Sequence, residues 1–340
     1  MYKLLKPVVF LSRPEWAHNA VIKILRYDIS QWLLKAICKP EKYNKPTELW
    51  GLKFKNPIGL AAGFDKNAEV IEGLASLGFG FIEIGTVTPR PQPGNPKPRI
   101  FRLSKDQAII NRMGFNNNGV QQIKENIKQI RKKDIIIGIN LGKNKDTPNE
   151  QAASDYLHSF KELFDYGDYF VINVSSPNTP NLRDLQKKEM LSEILKTLQD
   201  FNMIQDKPKP LLLKIAPDLS YKQIDDILEE IYIHKLSGII ATNTTITRPE
   251  NLRSNKRKIQ QTGGLSGKPL KQKSTEIIKY IHKTTQGKLP IIGVGGIMDF
   301  ADMQEKLEAG ASLIQIYTGL IYNGPCFVKK LKKEYCENYC

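Results

Sequence analysis

The feature that most constrains this chain is an alternation of short apolar segments with helical segments, which runs from residue 56 almost to the C-terminus. Near-continuous apolar strands that alternate with helices indicate a parallel sheet covered by helices on its outer face. Eight such units over roughly 270 residues match the usual size of a (β/α)8 TIM barrel, the α/β fold that we predict. An open doubly wound sheet is the alternative, although it usually has fewer strands. The apolar segments are residues 58–62, 81–87, 135–141, 169–174, 211–215, 238–241, 290–294 and 312–317.

The segments between the predicted strands carry helix-start and helix-end signals. Residues 220–234 begin with a serine, a preferred N-cap residue, and place isoleucine and leucine on one face. Residues 299–309 begin with an aspartate in the same position and are followed by Gly310, a typical stop signal. Residues 119–133 have valine and isoleucine at helical spacing. These patterns support helices that follow the strands.

The first 55 residues do not share this alternation. Residues 14–26 and 29–37 each place apolar side chains on one stripe, so we predict two short amphipathic helices. We therefore divide the chain into a helical N-terminal element, residues 1–45, and a barrel domain, residues 46–340. Two roles are open for the element, a lid on the barrel or an interfacial membrane anchor, and both can hold at once.

The composition is that of a soluble globular protein with one outlier, a formal net charge of +16. Such a charge attracts nucleic acid or an anionic membrane surface, but the lysines are scattered over many predicted helix faces. This scatter favours a lysine-rich composition without a nucleic-acid partner. The N-terminus has no signal-peptide core and no apolar run reaches the roughly 18 residues that cross a bilayer, so we expect the protein to begin at Met1 and stay where it is made. The four cysteines lack metal-site spacing, so we predict neither a metal site nor a disulfide framework.

Polar residues recur at the C-terminal ends of the predicted strands, where the active residues of this fold gather. Each unpaired polar group costs about 1–3 kcal/mol when it is buried, so we expect this many at one end of a barrel to face a shared site. They are Lys66, Thr86, Asn140, Asn173, Lys214, Thr242, Asn243 and Thr244.

Glycines follow the last two predicted strands, in GVGGI at 293–297 and YTGL at 317–320. They allow backbone amides to approach a phosphate, and the loops after strands 7 and 8 are the usual phosphate site of the fold. A phosphate together with amide contacts inside the barrel suggests a phosphorylated cofactor. FMN is the natural candidate, and a sugar-phosphate substrate is the alternative.

The loop after the fourth predicted strand reads NVSSPNTPNLRDLQ. Asn173, Ser176 and Asn178 offer hydrogen bonds to a small planar molecule, and no nearby histidine or cysteine pairs with either serine. A hydrolytic triad is therefore not expected, although a serine can relay a proton if a ligand and its flavin supply the driving force. The histidines all lie on predicted helices, at His18, His158, His234 and His282.

Nine strings spread over nearly the whole chain resemble the dihydroorotate dehydrogenases, in particular the class 2 branch, which reduces quinones and associates with membranes. Class 1 members have a cysteine at the position of Ser176, whereas this chain has no cysteine between Cys38 and Cys326. The strings are LAAGFDKNAE (60–69), IEIGTVTPRPQPGNPKPRIFRL (82–103), INRMGFNNNG (110–119), GINLGKNKDTP (138–148), INVSSPNTPNLRDLQ (172–186), KIAPDLS (214–220), ATNTT (241–245), QTGGLSGKPL (261–270) and GVGGI (293–297).

The resemblance implies oxidation of dihydroorotate to orotate in pyrimidine biosynthesis, with FMN as the first electron acceptor and a membrane quinone as the second. Ser176 would remove the C5 proton while a hydride leaves C6 for the flavin, and Lys214 would stabilise negative charge near flavin N1 and O2. The implied substrate contacts are Lys66, Asn111, Arg112, Met113, Gly114, Phe115, Asn173, Asn178, Asn243 and Thr244. The implied FMN contacts are Ala62, Gly63, Phe64, Asp65, Lys66, Thr86, Asn140, Asn173, Lys214, Thr242, Gly267, Gly296, Tyr317 and Thr318. The implied quinone contacts, in a tunnel roofed by the N-terminal helices, are His18, Arg102 and Tyr317.

The resemblance also implies peripheral attachment to the cytoplasmic face of a bacterial cell membrane, because a lipid-soluble oxidant enters from the bilayer. Each lysine or arginine near an anionic surface adds about 1 kcal/mol. Two alternatives remain. A tRNA-dihydrouridine synthase would use the charge of +16, but it should carry a catalytic cysteine and a C-terminal RNA-binding domain. A non-enzymatic membrane or scaffold protein is disfavoured because Lys66, Ser176, Lys214 and Asn243 are all present.

Overall fold

A closed barrel of eight parallel strands forms the centre of the computed structural model, which describes residues 2–131 and 134–339. In chain order the strands are β1 (Thr47–Leu49), β2 (Leu52–Phe54), β3 (Ile58–Leu60), β4 (Phe81–Val87), β5 (Ile100–Leu103), β6 (Ala108–Asn111), β7 (Ile136–Leu141), β8 (Tyr169–Asn173), β9 (Leu211–Ile215), β10 (Gly238–Ala241), β11 (Gly264–Gly267), β12 (Ile291–Val294) and β13 (Leu313–Ile316). The barrel order is β3, β4, β7, β8, β9, β10, β12 and β13, and β13 pairs with β3. The predicted TIM barrel is confirmed, and the open doubly wound alternative is wrong.

Helices cover the outside of the barrel, as the alternating pattern predicted. The helix that follows β9 has the predicted serine cap, because Ser220 Oγ accepts from the backbone N–H of Gln223 at 3.3 Å. The helix predicted at 119–133 ends at Lys128, and residues 132–133 of that prediction lie outside the described residues. The helices are α1 (Tyr2–Leu11), α2 (Pro14–Leu25), α3 (Asp28–Cys38), α4 (Ile71–Ala75), α5 (Gly119–Lys128), α6 (Ala152–Leu163), α7 (Lys188–Met203), α8 (Tyr221–Ile233), α9 (Lys256–Ile259), α10 (Lys271–Thr284), α11 (Phe300–Glu308), α12 (Thr318–Asn323) and α13 (Phe327–Tyr339).

The N-terminal element contains three helices, α1 to α3, and not the two that the sequence predicted. The additional helix, α1, has a proline at position 7, which disfavours a helical interpretation of the sequence alone. Contacts distant in sequence hold it in place. Arg102 Nη1 donates to the carbonyls of Val9, Phe10 and Ser12 at 2.9–3.3 Å, and so satisfies acceptors that the end of a helix leaves free.

A three-stranded antiparallel sheet, in the order β11–β6–β5, adds to the barrel at positions that the sequence analysis left without strands. It brings Asn111 at the end of β6 opposite Gly264 at the start of β11. The hairpin of β1 and β2 lies at the opposite end of the barrel, where the Phe54 ring packs edge-on against Phe81 at 5.3 Å. One end of the barrel is therefore closed by aromatic side chains, and the other carries extra strands around an opening.

The barrel interior is divided into an apolar layer and a polar layer. The apolar layer includes Phe81, Val171, Leu212, Ile240, Ile292 and Leu313, next to Phe54. The polar layer comprises Glu83, Asn140, Lys214 and Gln315, all at most 5% exposed. It lies toward the C-terminal ends of the strands, and Lys214 is in register with Asn173 of the neighbouring strand. This change from apolar to polar places hydrogen-bonding groups beneath the open end of the barrel.

Within the described residues, none of the helices has the length and apolar character to cross a bilayer. Cys38, Cys326 and Cys336 form no disulfide among the described residues, and the Sγ atoms of Cys38 and Cys326 lie 3.7 Å apart. The fourth cysteine, Cys340, lies outside the described residues.

Candidate active site

A cavity of about 410 Å³ opens at the C-terminal ends of the barrel strands and continues beneath the N-terminal helices. This volume lies within the usual range for small-molecule sites, about 300–1,000 Å³. Strand-end loops, β11 and helices α1 to α3 all contribute residues to its wall. The cavity therefore joins the end of the barrel, where the sequence predicted chemistry, to the element predicted to roof a tunnel.

The loop after β8 presents Ser176 to this cavity, with the side chain 6% exposed. The backbone N–H of Asn178 donates to Ser176 Oγ at 3.3 Å. Asn178 Nδ2 donates to Asn111 Oδ1 at 3.0 Å, whereas its Oδ1 atom is buried and has no hydrogen-bond partner among the described residues. A buried acceptor without a partner costs stability, and a donor on a bound ligand would remove that cost.

Asparagines at the ends of different barrel strands form a hydrogen-bonded wall beside Ser176. Asn243 Nδ2 donates to Asn173 Oδ1 at 3.2 Å and to Ser175 Oγ at 3.1 Å. Asn173 Nδ2 donates in turn to Thr86 Oγ1 at 3.0 Å. Because each amide is held by a neighbour, its orientation is fixed before a ligand arrives, which is how a site specifies a small polar molecule.

Lys66 lines the cavity without a salt bridge to any described carboxylate. Burial, together with the positive charge of Arg99, lowers the pKa of Lys66 to about 8. The Lys66 side chain is thus an ammonium at neutral pH, although no described carboxylate pairs with it. An anionic group on a ligand would supply the missing negative charge, as a lysine point charge suits a carboxylate.

Glycines form the wall where the loop after β12 meets β11. Gly267 and Gly296 have positive φ values of 97° and 76°. A Cβ at Gly267 would lie 2.3 Å from Gln107 O, and one at Gly296 would lie 2.4 Å from the Cα of Lys271. Any side chain would therefore clash, and the backbone itself faces the cavity, as close approach to a phosphate requires. Next to these glycines, the hydroxyls of Ser266 and Thr318 share a hydrogen bond of 2.8 Å.

The part of the cavity under the N-terminal helices is mainly apolar. Its lining includes Val9, Phe10, Ala17, Val21, Ile24, Leu25 and Leu34. The His18 ring packs edge-on against Phe64 at 5.1 Å, and Phe64 packs in the same way against Tyr317 at 6.0 Å. Burial, helped by the charge of Lys66, lowers the pKa of His18 to about 3, so its imidazole is neutral at physiological pH. This part of the cavity thus forms a largely apolar path to the barrel.

Most of the residues that the sequence predicted for the site line this one cavity. They are His18, Ala62, Gly63, Phe64, Lys66, Thr86, Arg102, Asn111, Met113, Gly114, Phe115, Asn173, Ser176, Asn178, Lys214, Thr242, Asn243, Thr244, Gly267, Gly296, Tyr317 and Thr318.

Three predicted site residues do not line the cavity: Asp65, Arg112 and Asn140. The Asp65 carboxylate is buried and accepts from the backbone N–H groups of Glu69 and Val70, both at 2.8 Å. Arg112 is directed away, donating to Gln261 Oε1 at 2.8 Å and to Pro98 O at 2.9 Å. Asn140 lies beneath the wall, where its Oδ1 accepts from Asn173 Nδ2 at 2.9 Å. Their ligand contacts remain predictions.

The sequence analysis missed several residues that border the site. Ser266 and Gln315 line the cavity, and Glu83 lies in the polar layer below it. A signal for two of them was available, because Glu83 and Gln315 interrupt otherwise apolar strand segments, FIEIGTV and LIQI. A charged or amide side chain on a fully buried strand needs partners, so it points to a polar interior.

Comparisons with known proteins agree with this arrangement. The family model described as dihydroorotate dehydrogenase matches residues 45–338. A protein of Christiangramia forsetii named dihydroorotate dehydrogenase (quinone) is 53% identical, over 99% of this chain and 99% of its own length. A protein of a Synechococcus strain with the same name is 56% identical, over 94% of this chain and 88% of its own length. The crystal structure of DHODH from Eimeria tenella in complex with ferulenol is 40% identical, with a TM-score of 0.85, and covers 94% of this chain and 90% of that one.

The identity extends over both parts of the chain, the barrel and the N-terminal element, since the first of these relatives matches nearly from end to end. Neither a tRNA-dihydrouridine synthase nor a non-enzymatic scaffold accounts for matches of this kind, so both alternatives are set aside. The chain therefore belongs to the dihydroorotate dehydrogenase family, and within it to the class 2 branch.

Proposed function

We propose that the chain oxidises dihydroorotate to orotate in pyrimidine biosynthesis, with FMN as the first electron acceptor and a membrane quinone as the second. One observation carries the proposal: a single cavity connects the Ser176 loop, the glycine-lined end of the barrel and the apolar tunnel under the N-terminal helices. A polar substrate and a lipid-soluble oxidant can therefore reach the same cofactor from different sides. The relatives named above as dihydroorotate dehydrogenase (quinone) support this substrate and this acceptor.

The substrate is bound by groups that complement a planar, anionic ring. Lys66 pairs with its carboxylate, and the amides of Asn111, Asn173, Asn178 and Asn243 bind the ring. The free Oδ1 of Asn178 accepts from a ring N–H group. The same proposal extends to the neighbouring backbone and side chains at Arg112, Met113, Gly114, Phe115 and Thr244.

Ser176 is the base that removes the C5 proton. Its Oγ lies at the cavity wall and accepts from the backbone N–H of Asn178, which stabilises the negative charge that Oγ gains as its own proton is relayed away and loses again when it takes up the C5 proton. Burial keeps water away from the reacting atoms, since Ser176 is 6% exposed. Asn173 and Asn243 keep the ring in position through the hydrogen bonds that fix their own amides.

The residues at the barrel opening fit FMN. Gly267, Gly296 and Thr318 would hold its phosphate, and the amides and hydroxyls of Thr86, Asn173 and Thr242 would bind its ring. When bound, FMN supplies the hydride acceptor that no side chain provides. Lys214 lines the cavity and would stabilise negative charge on the ring of the bound cofactor. The other proposed contacts are Ala62, Gly63, Phe64, Asp65, Lys66, Asn140 and Tyr317.

The quinone enters through the apolar tunnel, where His18 and Tyr317 offer polar atoms near its inner end and Arg102 lies in its wall. Large exposed apolar side chains on the N-terminal helices suit docking on a bilayer, and the proposed location is the cytoplasmic face of a bacterial cell membrane, with an anionic surface as partner. Such side chains include Leu11, Trp16, Ile24, Ile29, Trp32 and Leu33, each at least 47% exposed. The scattered positive charge is assigned to this surface, with no nucleic acid as a partner.

The test is spectroscopic. Purified full-length protein should be yellow, and anaerobic dihydroorotate should bleach its flavin absorption. Addition of a water-soluble ubiquinone or menaquinone analogue should restore the colour, whereas fumarate and NAD should not. A protein without flavin, or one whose flavin does not respond to dihydroorotate, would overturn the proposal, and reoxidation by fumarate or NAD alone would overturn the quinone assignment.

A further inference from the structure

Glu83 is a charged residue in the middle of a strand whose seven residues are all buried. Its side chain is 0% exposed and receives three hydrogen bonds inside the barrel. Oε1 accepts from Asn140 Nδ2 at 2.8 Å and from Lys214 Nζ at 3.2 Å, and Oε2 accepts from Gln315 Nε2 at 2.5 Å. The carboxylate is thus the centre of the polar layer, joined to β7, β9 and β13.

A buried ion pair of this kind is a poor source of stability. Removing two charges from water costs several kcal/mol per ion, and well-packed apolar residues of similar volume are often as stable or more so. The pair between Glu83 and Lys214 is almost completely enclosed, with side-chain exposures of 0% and 7%. Its position suggests a different role, because Lys214 and Gln315 line the cavity, whereas Glu83 lies below it.

We propose that Glu83 is a positioning residue that keeps Lys214 an ammonium group, aimed at the cavity, before negative charge develops there. This inference rests on the proposed binding of FMN at the barrel opening. Glu83 acts through Lys214 and does not touch the ligand itself. A lysine that is already charged stabilises the reduced ring without first taking a proton from solvent, and preorganised charge of this kind is the most effective electrostatic catalyst.

Among the groups that face Glu83, Lys214 is the cation on which the charge of the carboxylate acts. Asn140 and Gln315 are neutral amides, and the other titratable group that faces it is Tyr169 on β8. Burial, and then the charge of Glu83, raises the pKa of Tyr169 well above its usual value, so this phenol stays neutral. Asp168, next to it, is already engaged by the backbone N–H of Ile137 at 2.7 Å. Lys214 is therefore the cation that this carboxylate pairs with among the described residues.

The consequence is that the wild type and Glu83→Gln differ in the number of protons taken up when the flavin is reduced. With Glu83 present, Lys214 is charged in both flavin states, and two-electron reduction to the anionic flavin takes up one proton, the one transferred with the hydride. In Glu83→Gln, burial without a counter-ion favours the neutral amine, since buried lysines lose up to 3–5 pKa units. Reduction then draws a second proton from solvent onto Lys214, where it balances the new negative charge.

The experiment measures the midpoint potential of the bound flavin against pH, at and above neutral pH. Each proton taken up per two electrons changes the equilibrium constant tenfold per pH unit, which is about 30 mV. We expect the one-proton slope for the wild type and about twice that slope, a hundredfold change per pH unit, for Glu83→Gln. The matched control is Gln315→Met, which removes a hydrogen bond from the same carboxylate but leaves the ion pair, and it should keep the wild-type slope.

Several outcomes would overturn the inference. These are a two-proton slope in the wild type, an unchanged slope in flavin-loaded Glu83→Gln, and a doubled slope in Gln315→Met, which would trace the effect to disturbed packing. Glu83→Asp, which keeps the charge, should restore the one-proton slope.

A second measurement does not need the cofactor. In flavin-free protein, the rate at which acetic anhydride modifies Lys214, followed by mass spectrometry, should rise at least about tenfold in Glu83→Gln, because only the neutral amine reacts. Lys306, a buried lysine bonded to the carbonyl of Lys271 at 2.7 Å, is an internal reference whose rate should not change. An equal rate at Lys214 in the two proteins would overturn the role of Glu83. A wild-type protein that binds no FMN would instead overturn the proposed function, and the acetylation comparison would still test this inference.

Discussion

The two sides of the cavity are built in opposite ways. On the barrel side, polar groups such as Asn173, Asn178 and Asn243 are held by hydrogen bonds from neighbouring strands and loops. On the side of the N-terminal helices, the wall is mostly aliphatic and aromatic. Directional hydrogen bonds select one molecule by the placement of its donors and acceptors, whereas an apolar wall selects by size and polarity. Under the proposed function, substrate selection and oxidant access therefore belong to different parts of the chain.

The two sides are also fixed to different extents. The barrel side belongs to strands paired around a closed sheet. The N-terminal helices are attached by a few buried apolar residues, such as Leu25, and by polar contacts, among them the ion pairs of Glu15 with Arg99 at 2.7 Å and of Arg26 with Glu69 at 2.8 Å. Burial alone would raise the pKa of Glu15, but its hydrogen bond to Arg99 and the charge of that guanidinium hold the pKa below its usual value. The N-terminal helices can therefore be altered while the barrel stays folded.

The largest expected effect lies on the polar side. Ser176→Ala should bind FMN normally and slow flavin reduction by dihydroorotate by about 10²–10⁴-fold, the usual contribution of a general base. Stopped-flow absorbance under anaerobic conditions measures this step alone. The matched control is Ser154→Ala, which removes an exposed hydroxyl bonded to Gln151 O on α6 and should reduce flavin at the wild-type rate. Near-normal flavin reduction in Ser176→Ala would show that Ser176 is not the base. It would also contradict the proposed division of function between the two sides of the cavity.

The second-largest effect should appear on the side of the N-terminal helices, in the reoxidation of the flavin by quinone. Removal of residues 1–40 should leave flavin reduction by dihydroorotate intact and lower the rate of reoxidation by a quinone analogue at least about tenfold, equivalent to about 1.4 kcal/mol of lost interaction. Reoxidation by ferricyanide, which needs no apolar tunnel, is the control. Ala17→Trp tests the same wall in the full chain, because Ala17 lines the cavity and is 7% exposed, so a bulky side chain there narrows the tunnel. Unchanged quinone turnover in both variants would contradict the tunnel assignment.

A smaller effect on the polar side should be a pH dependence of the affinity for orotate. The pKa of Lys66 is lowered to about 8, so its ammonium is present below that pH and is lost above it. Affinity for the anionic product orotate should therefore fall as pH rises through about 8, by up to tenfold per pH unit. Titration of the flavin spectrum with orotate measures this affinity, and Lys66→Gln should bind orotate more weakly with no pH dependence in this range. The same dependence in Lys66→Gln would show that another group binds the carboxylate.

The barrel side could be predicted from the sequence to a greater extent than the N-terminal side. A strand that is buried on both faces must be apolar, so the eight strands were visible as apolar runs. Parallel strands place their C-terminal ends at one edge, and for that reason Lys66, Asn173, Ser176 and Asn243 could be expected to meet. Helix α8 could be predicted with its cap, since Ser220 and Gln223 form a local signal.

What the sequence did not predict depends on contacts between distant residues. Helix α1 contains Pro7 and is held by Arg102, which lies more than ninety positions away from Val9. The strands β5, β6 and β11 pair across a separation that no local pattern records. Arg112 was included with the site because of its neighbours in the chain, yet its guanidinium is directed to Gln261 and Pro98. Local periodicity predicts elements, whereas the direction of a long side chain is decided by partners that only the fold supplies.

The smallest expected effect concerns the outer surface of the apolar side. Trp16 and Trp32 are 66% and 64% exposed, and each of their helices also carries one lysine, Lys23 on α2 and Lys35 on α3. Replacing both by alanine should lower binding to vesicles of anionic and zwitterionic lipid by about tenfold, because buried apolar surface contributes roughly 25 cal/mol per Å² and each ring inserts only in part. Sedimentation with vesicles measures the bound fraction, and Tyr232→Ala on α8, an exposed aromatic of the barrel at 51%, should bind as the wild type does. Added salt should weaken the binding that remains, since part of it is electrostatic. Equal losses in the tryptophan and tyrosine variants would mean that the N-terminal helices have no special role at the membrane, and the contrast between the two sides would then be confined to the interior of the cavity.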